Sequence, residues 1–139
     1  LVNLTKELGI EEKVKFIKSI PHSELEIYYR SSDIFAIAIK YGGIAIPVIE
    51  ALASSLPIIV PKPIWESTPE LVGNVAIVVD NNPSSFEKAI KKLLSDFNLR
   101  KKLGKAGRKI ALQIDGKIME RKEMEMYKKV INDFNKIKN

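Results

Sequence analysis

The sequence predicts an α/β fold, a doubly wound parallel sheet with helices on both faces, and three observations lead there. Short β-branched runs alternate with helical stretches along the whole chain. The runs Val14–Ile17, Ile34–Ile39, Pro57–Val60 and Val75–Val79 are apolar at almost every position apart from the lysine in the first, as strands buried on both faces require. At 139 residues, with 45% hydrophobic and 29% charged residues, the chain suits one domain around one core, and it carries no internal repeat or low-complexity linker.

Each element follows in order. Val14–Ile17 is the first strand candidate. Ser23 with Glu26 three residues later predicts a capping box that opens a helix. Ile34–Ile39 is the second strand, followed by a glycine-bearing loop and a short helix opened by Pro47. Pro57–Val60 is the third strand. Thr68 before Pro69 marks another helix start, and Val75–Val79 is the fourth strand. Asn82 before Pro83 caps a helix whose inner face is Phe86, Ala89, Ile90, Leu93 and Leu94. Asn98 before Leu99 caps the next, with Leu99, Leu103, Ala106 and Ile110 as its apolar stripe. Residues 115–139 form a C-terminal helix carrying Tyr127, Val130, Ile131 and Phe134.

Ligands of such a sheet sit beyond the C-terminal ends of its strands. The loops there are Ser19 to His22, Lys40 to Ala45, Lys62 to Ser67 and Asp80 to Asn82, and the first three are expected around one crevice. Pro47 at a first helical position costs no hydrogen bond, and the amides of that helix start invite a phosphate. Glu50 is expected on the helix's first turn, where a carboxylate repels the anion but accepts hydrogen bonds from hydroxyls, as acidic residues do from ribose. The pattern reads as nucleotide recognition. His22 reads first as a polar loop residue beside a helix start, able to stack on a base, with an acid or base role as the alternative. Lys40 and Lys62 read as solvated lysines or phosphate cations, and Trp65 as a substrate platform or a packing residue.

The stretch Gly42 to Val60 resembles the signature of retaining GT-B glycosyltransferases of the glycogen synthase and mannosyltransferase class. Gly43, Ile46, Pro47, Val48, Ile49, Glu50, Ala51, Leu52, Ala53, Pro57 and Ile58-Ile59-Val60 carry the match. The likeness continues on both sides: Leu4 to Phe16 looks like the family's helix, turn and strand, Ser23 to Phe35 like its next helix and strand, and Thr68-Pro69-Glu70-Leu71-Val72 like its Pro-Glu-Leu-Val segment. The resemblance implies a Rossmann-like C-terminal domain that binds a nucleotide-sugar, one that transfers a hexose from a UDP- or GDP-type donor. It assigns Glu50 to the ribose, Ile44, Ala45 and Ile46 to the diphosphate, Ser19 and Pro21 to the base, and Glu66 and Ser67 to the donor-sugar loop. Gly42 stands where the family has the first glutamate of its Glu-x7-Glu pair, so no catalytic residue is assigned. Ser55 stands where the family has glycine.

By the same resemblance the chain is a single, incomplete nucleotide-sugar-binding domain over 1–139, without the acceptor-binding N-terminal domain and without the two opening strands that bear the diphosphate-clamping Arg and Lys. As an isolated chain it is expected to be inactive. Those two strands would lie between Val14–Ile17 and Ile34–Ile39, so the chain alone is expected either to pair these two strands directly or to associate with another copy. The order Ile34–Ile39, Pro57–Val60, Val75–Val79 should stay adjacent and parallel. A non-catalytic interaction module and another GT-B enzyme, such as an epimerase, remain the alternative functions.

Zero cysteines and the single histidine argue against disulfides and against a metal site, and no cofactor is expected beyond the nucleotide-sugar substrate. No apolar run is long enough to span a bilayer and no signal peptide opens the chain, which predicts a cytoplasmic location. The richness in Lys, Ile and Glu resembles thermophile composition. Lys and Arg number 10 against 12 acidic residues over 1–96, and 13 against 5 over 97–139, so the net charge of +6 belongs to the C-terminal part. Arg100, Lys101, Lys102, Lys105, Arg108 and Lys109 read as the solvated side of an amphipathic helix. A peripheral contact with a membrane surface is the second reading, and nucleic acid is set aside because no aromatic residues interleave the charge.

Overall fold

The computed structural model describes residues 1–38, 45–62 and 75–138, with the side chains of the last two omitted. Three parallel strands, β1 (Phe35–Ala36), β2 (Ile58–Pro61) and β3 (Ala76–Val79), form one sheet in the order β1-β2-β3. Around it lie α1 (Val2–Glu7), α2 (His22–Arg30), α3 (Ile46–Ala53), α4 (Pro83–Ser95), α5 (Phe97–Gln113) and α6 (Gly116–Lys138). The adjacent, parallel order of the last three expected strands is therefore present, in an α/β arrangement.

Strand alternation divides the core in two. Ile58 and Ala76 face a cluster with Val48, Ala51 and Leu52 of α3 and Ala111 of α5. Ile59 and Val79 face the opposite way, onto Ala89 and Leu93 of α4 and Leu103 of α5. Successive side chains of a strand point to opposite faces, so a run apolar throughout supplies both layers at once. Leu52, Ile58, Ile59 and Leu93 are the largest fully buried side chains, each contributing about 1.5–3 kcal/mol by leaving water.

Val14–Ile17 is not a strand. A short 3-10 turn, Glu11–Lys13, runs into it, Val14 is extended (φ −120°, ψ 117°), and Phe16 and Ile17 are 49% and 41% exposed. The segment does not pair with β1, contrary to one expected outcome. An apolar run becomes a strand only where a neighbour accepts its ladder bonds, and the described sheet offers it none. The helix and turn before it do form. Gly9, at φ 62°, ends α1 with Gly9 N–H donating to the Lys6 carbonyl and Ile10 N–H to the Thr5 carbonyl, the paired bonds of a Schellman stop.

The helix caps are correct in part. Asn82 caps α4, its side chain accepting from Ser85 N–H at 2.9 Å. For α5 the cap is Asp96, which accepts from Leu99 N–H at 2.8 Å, so Asn98 lies inside the helix. Ser23 lies inside α2, whose first turn follows Pro21 with no side-chain cap bond. The expected cap at Thr68 lies outside the described residues.

The basic side of α5 is not wholly solvated. Arg108 donates to the Ala53 carbonyl at the end of α3, and Arg100 donates to the carbonyls of Leu93 (2.5 Å) and Leu94 (3.0 Å) at the end of α4. Cations there satisfy last-turn carbonyls and oppose the negative end of the helix dipole. Sequence reasoning also missed Gly104 and Gly107, both buried, which let α5 approach α3 and the turn after it. The helix α6 is amphipathic and exposed along its length, with Met126, Tyr127, Val130 and Ile131 each more than half exposed.

Candidate functional site

Glu50 sits on α3, but not on its first turn. Ala45 is the N-cap, Ile46 and Pro47 are the first two helical residues, and Glu50 opens the second turn. Pro47 thus stands one place later than the sequence reading puts it. Of the amides offered to an anion, Val48 N–H already bonds back to the Ala45 carbonyl at 2.9 Å, as Ile49 N–H does at 3.3 Å. The helix start consequently offers an anion less than expected.

What the structure does build is a hydroxyl-accepting carboxylate held from one side. Tyr29 Oη donates to Glu50 Oε2 at 2.9 Å. The ring of Tyr29 is tilted against Phe35 of β1, centroids 6.0 Å apart, so α2, α3 and β1 meet at this pair. Burial first, then the hydrogen bond to Glu50 and its charge, push the Tyr29 phenol up to about 12. At neutral pH it remains a donor. His22 Nε2 stands 3.7 Å from the other oxygen, Oε1. That distance, with the imidazole 91% exposed against 26% for the Glu50 side chain, makes it a neighbour rather than a hydrogen-bond partner.

Local sequence explains the convergence. His22 and Tyr29 are seven residues apart on α2, two turns of helix, so both lie on the face turned to α3. That i, i+7 spacing was the available signal for Tyr29, which sequence reading took in only as one position of the Ser23 to Phe35 resemblance. His22, read first as a bystander, stands beside Glu50.

Other expected site residues are dispersed or undescribed. Ser19 and Pro21 are exposed in the segment leading to α2, and Pro21 is its N-cap. Ala45 and Ile46 open α3, with Ile46 71% exposed. Gly42, Ile44 and Lys40 lie outside the described residues, as do Trp65, Glu66 and Ser67. Lys62 pairs with Asp80 (Nζ–Oδ1 2.7 Å) beyond the ends of β2 and β3. That pairing ties together two of the loops at the C-terminal edge of the sheet, and it competes with any phosphate for the lysine. Among the described residues no helix is long and apolar enough to cross a membrane.

Comparison with known proteins agrees with this architecture. Over 103 residues the chain is 29% identical to a D-inositol 3-phosphate glycosyltransferase of Corynebacterium glutamicum, covering 73% of this chain and 25% of that protein. Over 120 residues it is 28% identical to a GDP-mannose-dependent alpha-(1-6)-phosphatidylinositol monomannoside mannosyltransferase of Mycolicibacterium smegmatis, covering 81% and 31%. The fold superposes on sucrose-phosphate synthase of Thermosynechococcus elongatus with a TM-score of 0.82 at 20% identity, covering 94% of this chain and 33% of that one. The chain spans about a quarter of the length of the curated relatives it matches. The profile of the family described as glycosyl transferases group 1 matches residues 1–110, and the chain belongs to that family.

Proposed function

We propose that this chain is the nucleotide-binding portion of a glycosyltransferase that uses a nucleoside diphosphate hexose, with Glu50 accepting a hydrogen bond from the ribose. The observation that carries the reading is the state of Glu50: one oxygen is held by Tyr29, and the other lies 3.7 Å from His22 Nε2 and accepts no hydrogen bond among the described residues. A carboxylate fixed in this way on the helix that follows a strand of a parallel sheet is suited to a sugar hydroxyl. Ala45 and Ile46 border the diphosphate, and Ser19 and Pro21 the base. The donor is of UDP or GDP type, and the GDP-mannose dependence named for one relative supports the second. The acceptor-binding site and the rest of the transfer machinery belong to a second domain outside residues 1–139, in keeping with a chain that spans about a quarter of its relatives' length.

Titration with UDP, GDP and ADP, followed by backbone chemical shifts and repeated on Glu50→Gln, tests the reading. Shifts centred on residues 19–22 and 45–50, weakened in the variant, are expected. Shifts that avoid these segments, or that survive the substitution unchanged, would remove the nucleotide assignment.

A further inference from the structure

We infer that Tyr29 is a positioning residue for nucleotide recognition: its hydroxyl clamps Glu50 Oε2 so that Oε1 alone is presented to a ribose hydroxyl. The inference rests on the proposed function and adds to it a residue that does not touch the ligand. Four features of the pair support it. The bond is 2.9 Å and joins residues 21 apart in sequence, so it is tertiary and not a by-product of one helix. The phenol is half-buried beside Phe35, where α2, α3 and β1 meet, so its bond to Glu50 is partly shielded from water. With its pKa pushed up to about 12 the phenol donates at every physiological pH. Glu50 has several rotamers on a helix surface, and a charge-assisted bond to one oxygen selects the rotamer before the ligand arrives.

The clamp acts on discrimination, not on affinity as a whole. A nucleoside diphosphate and its 2′,3′-dideoxy counterpart share base and diphosphate and differ only in the hydroxyls that Glu50 would read. Their affinity ratio therefore isolates the Glu50 contact from everything else in the crevice. In the full-length protein the ratio should be at least about tenfold, the size of one hydrogen bond to a charged group. Tyr29→Phe keeps the ring and removes the hydroxyl, and should bring the ratio to within about threefold while the dideoxy compound binds as before. Phe35→Leu loosens the ring packing without touching the hydroxyl. It should lower thermal stability yet leave the ratio near the wild-type value.

Calorimetric titration of the parent and both variants with GDP, UDP and their dideoxy forms decides the matter. A ratio kept or increased in Tyr29→Phe overturns the clamp, since Glu50 would then read the ribose unaided. Equal loss in Tyr29→Phe and Phe35→Leu also overturns it, showing packing at work and not the hydroxyl. A wild-type protein that binds both forms equally refutes the ribose assignment of Glu50 itself. That result is distinct from a clamp failure, because it is seen before any variant is made.

Discussion

Gly104 of α5 lies directly against the carbonyl oxygen of Ser55, so close that a Cβ at position 104 would overlap that backbone atom. The contact fixes α5 beneath the turn that joins α3 to β2, and hence the tilt of the helix that carries Glu50. Ordinarily Gly→Ala inside a helix gains about 1 kcal/mol. Here the obstacle is backbone, which cannot rotate away, and overpacking of this kind costs about 1–3 kcal/mol. Gly104→Ala is expected to destabilise the fold in urea titration. Gly107→Ala should be milder, because its Cβ would meet the flexible end of Leu52, the Cδ2 atom at 2.5 Å.

Ser55 itself supplies a second expectation. It has φ 61°, and its N–H donates to the Leu52 carbonyl while Leu56 N–H donates to that of Ala51, again the paired bonds that stop a helix. A side chain in the left-handed region costs about 1–2 kcal/mol, and glycine there gives back about 0.5–1 kcal/mol through a freer unfolded chain. Ser55→Gly should therefore stabilise the protein by about 0.5–1 kcal/mol, as a rise in the urea midpoint with an unchanged slope. No change in midpoint would mean that the serine hydroxyl compensates.

These two positions show where sequence reading succeeds and where it stops. The departure from glycine at Ser55 was visible, but its left-handed backbone was not, since that depends on the chain turning straight from α3 into β2. The strands from Ile34 onward were legible because a run apolar on both faces has few other destinations. Val14–Ile17 carries the same local signal and forms no strand, because pairing needs a neighbour that composition cannot reveal. Glu50 was legible as a candidate. Its grip by Tyr29 was not, since a bond between residues 21 apart is set by how α2 packs on α3.

The start of α5 tests the cap assignment. Asp96 accepts from Leu99 N–H, whereas Asn98 is within the first helical turn. Removing an N-cap acceptor costs about 0.5–2 kcal/mol, and an acidic cap gains a little more from the helix dipole. Asp96→Ala should lower stability by about 1 kcal/mol and Asn98→Ala should be neutral or slightly stabilising, because alanine is the better helix former. Equal losses at both sites would place the cap wrongly.

The last expectation concerns alkaline pH. Burial, assisted by the bond to Glu50, raises the Tyr29 phenol from 10.0 to about 12. In the unfolded chain the group returns to its ordinary value. The folded state therefore holds the proton more tightly, and the stability tied to this is fully present below pH 10 and is lost as pH rises through about 12. The pair is partly open to water, which screens the effect, so the loss should amount to about 1 kcal/mol and not the full linkage value of the shift. Unfolding by urea, measured at intervals from pH 9 to 12, should show wild type losing this increment and Tyr29→Phe lacking it. Absorbance titration should show in wild type a phenol ionising near pH 12, and that late step should vanish in the variant. If instead the late step is missing in wild type and the two proteins share one alkaline profile, the Tyr29–Glu50 bond does not persist in solution and Glu50 is held by other means.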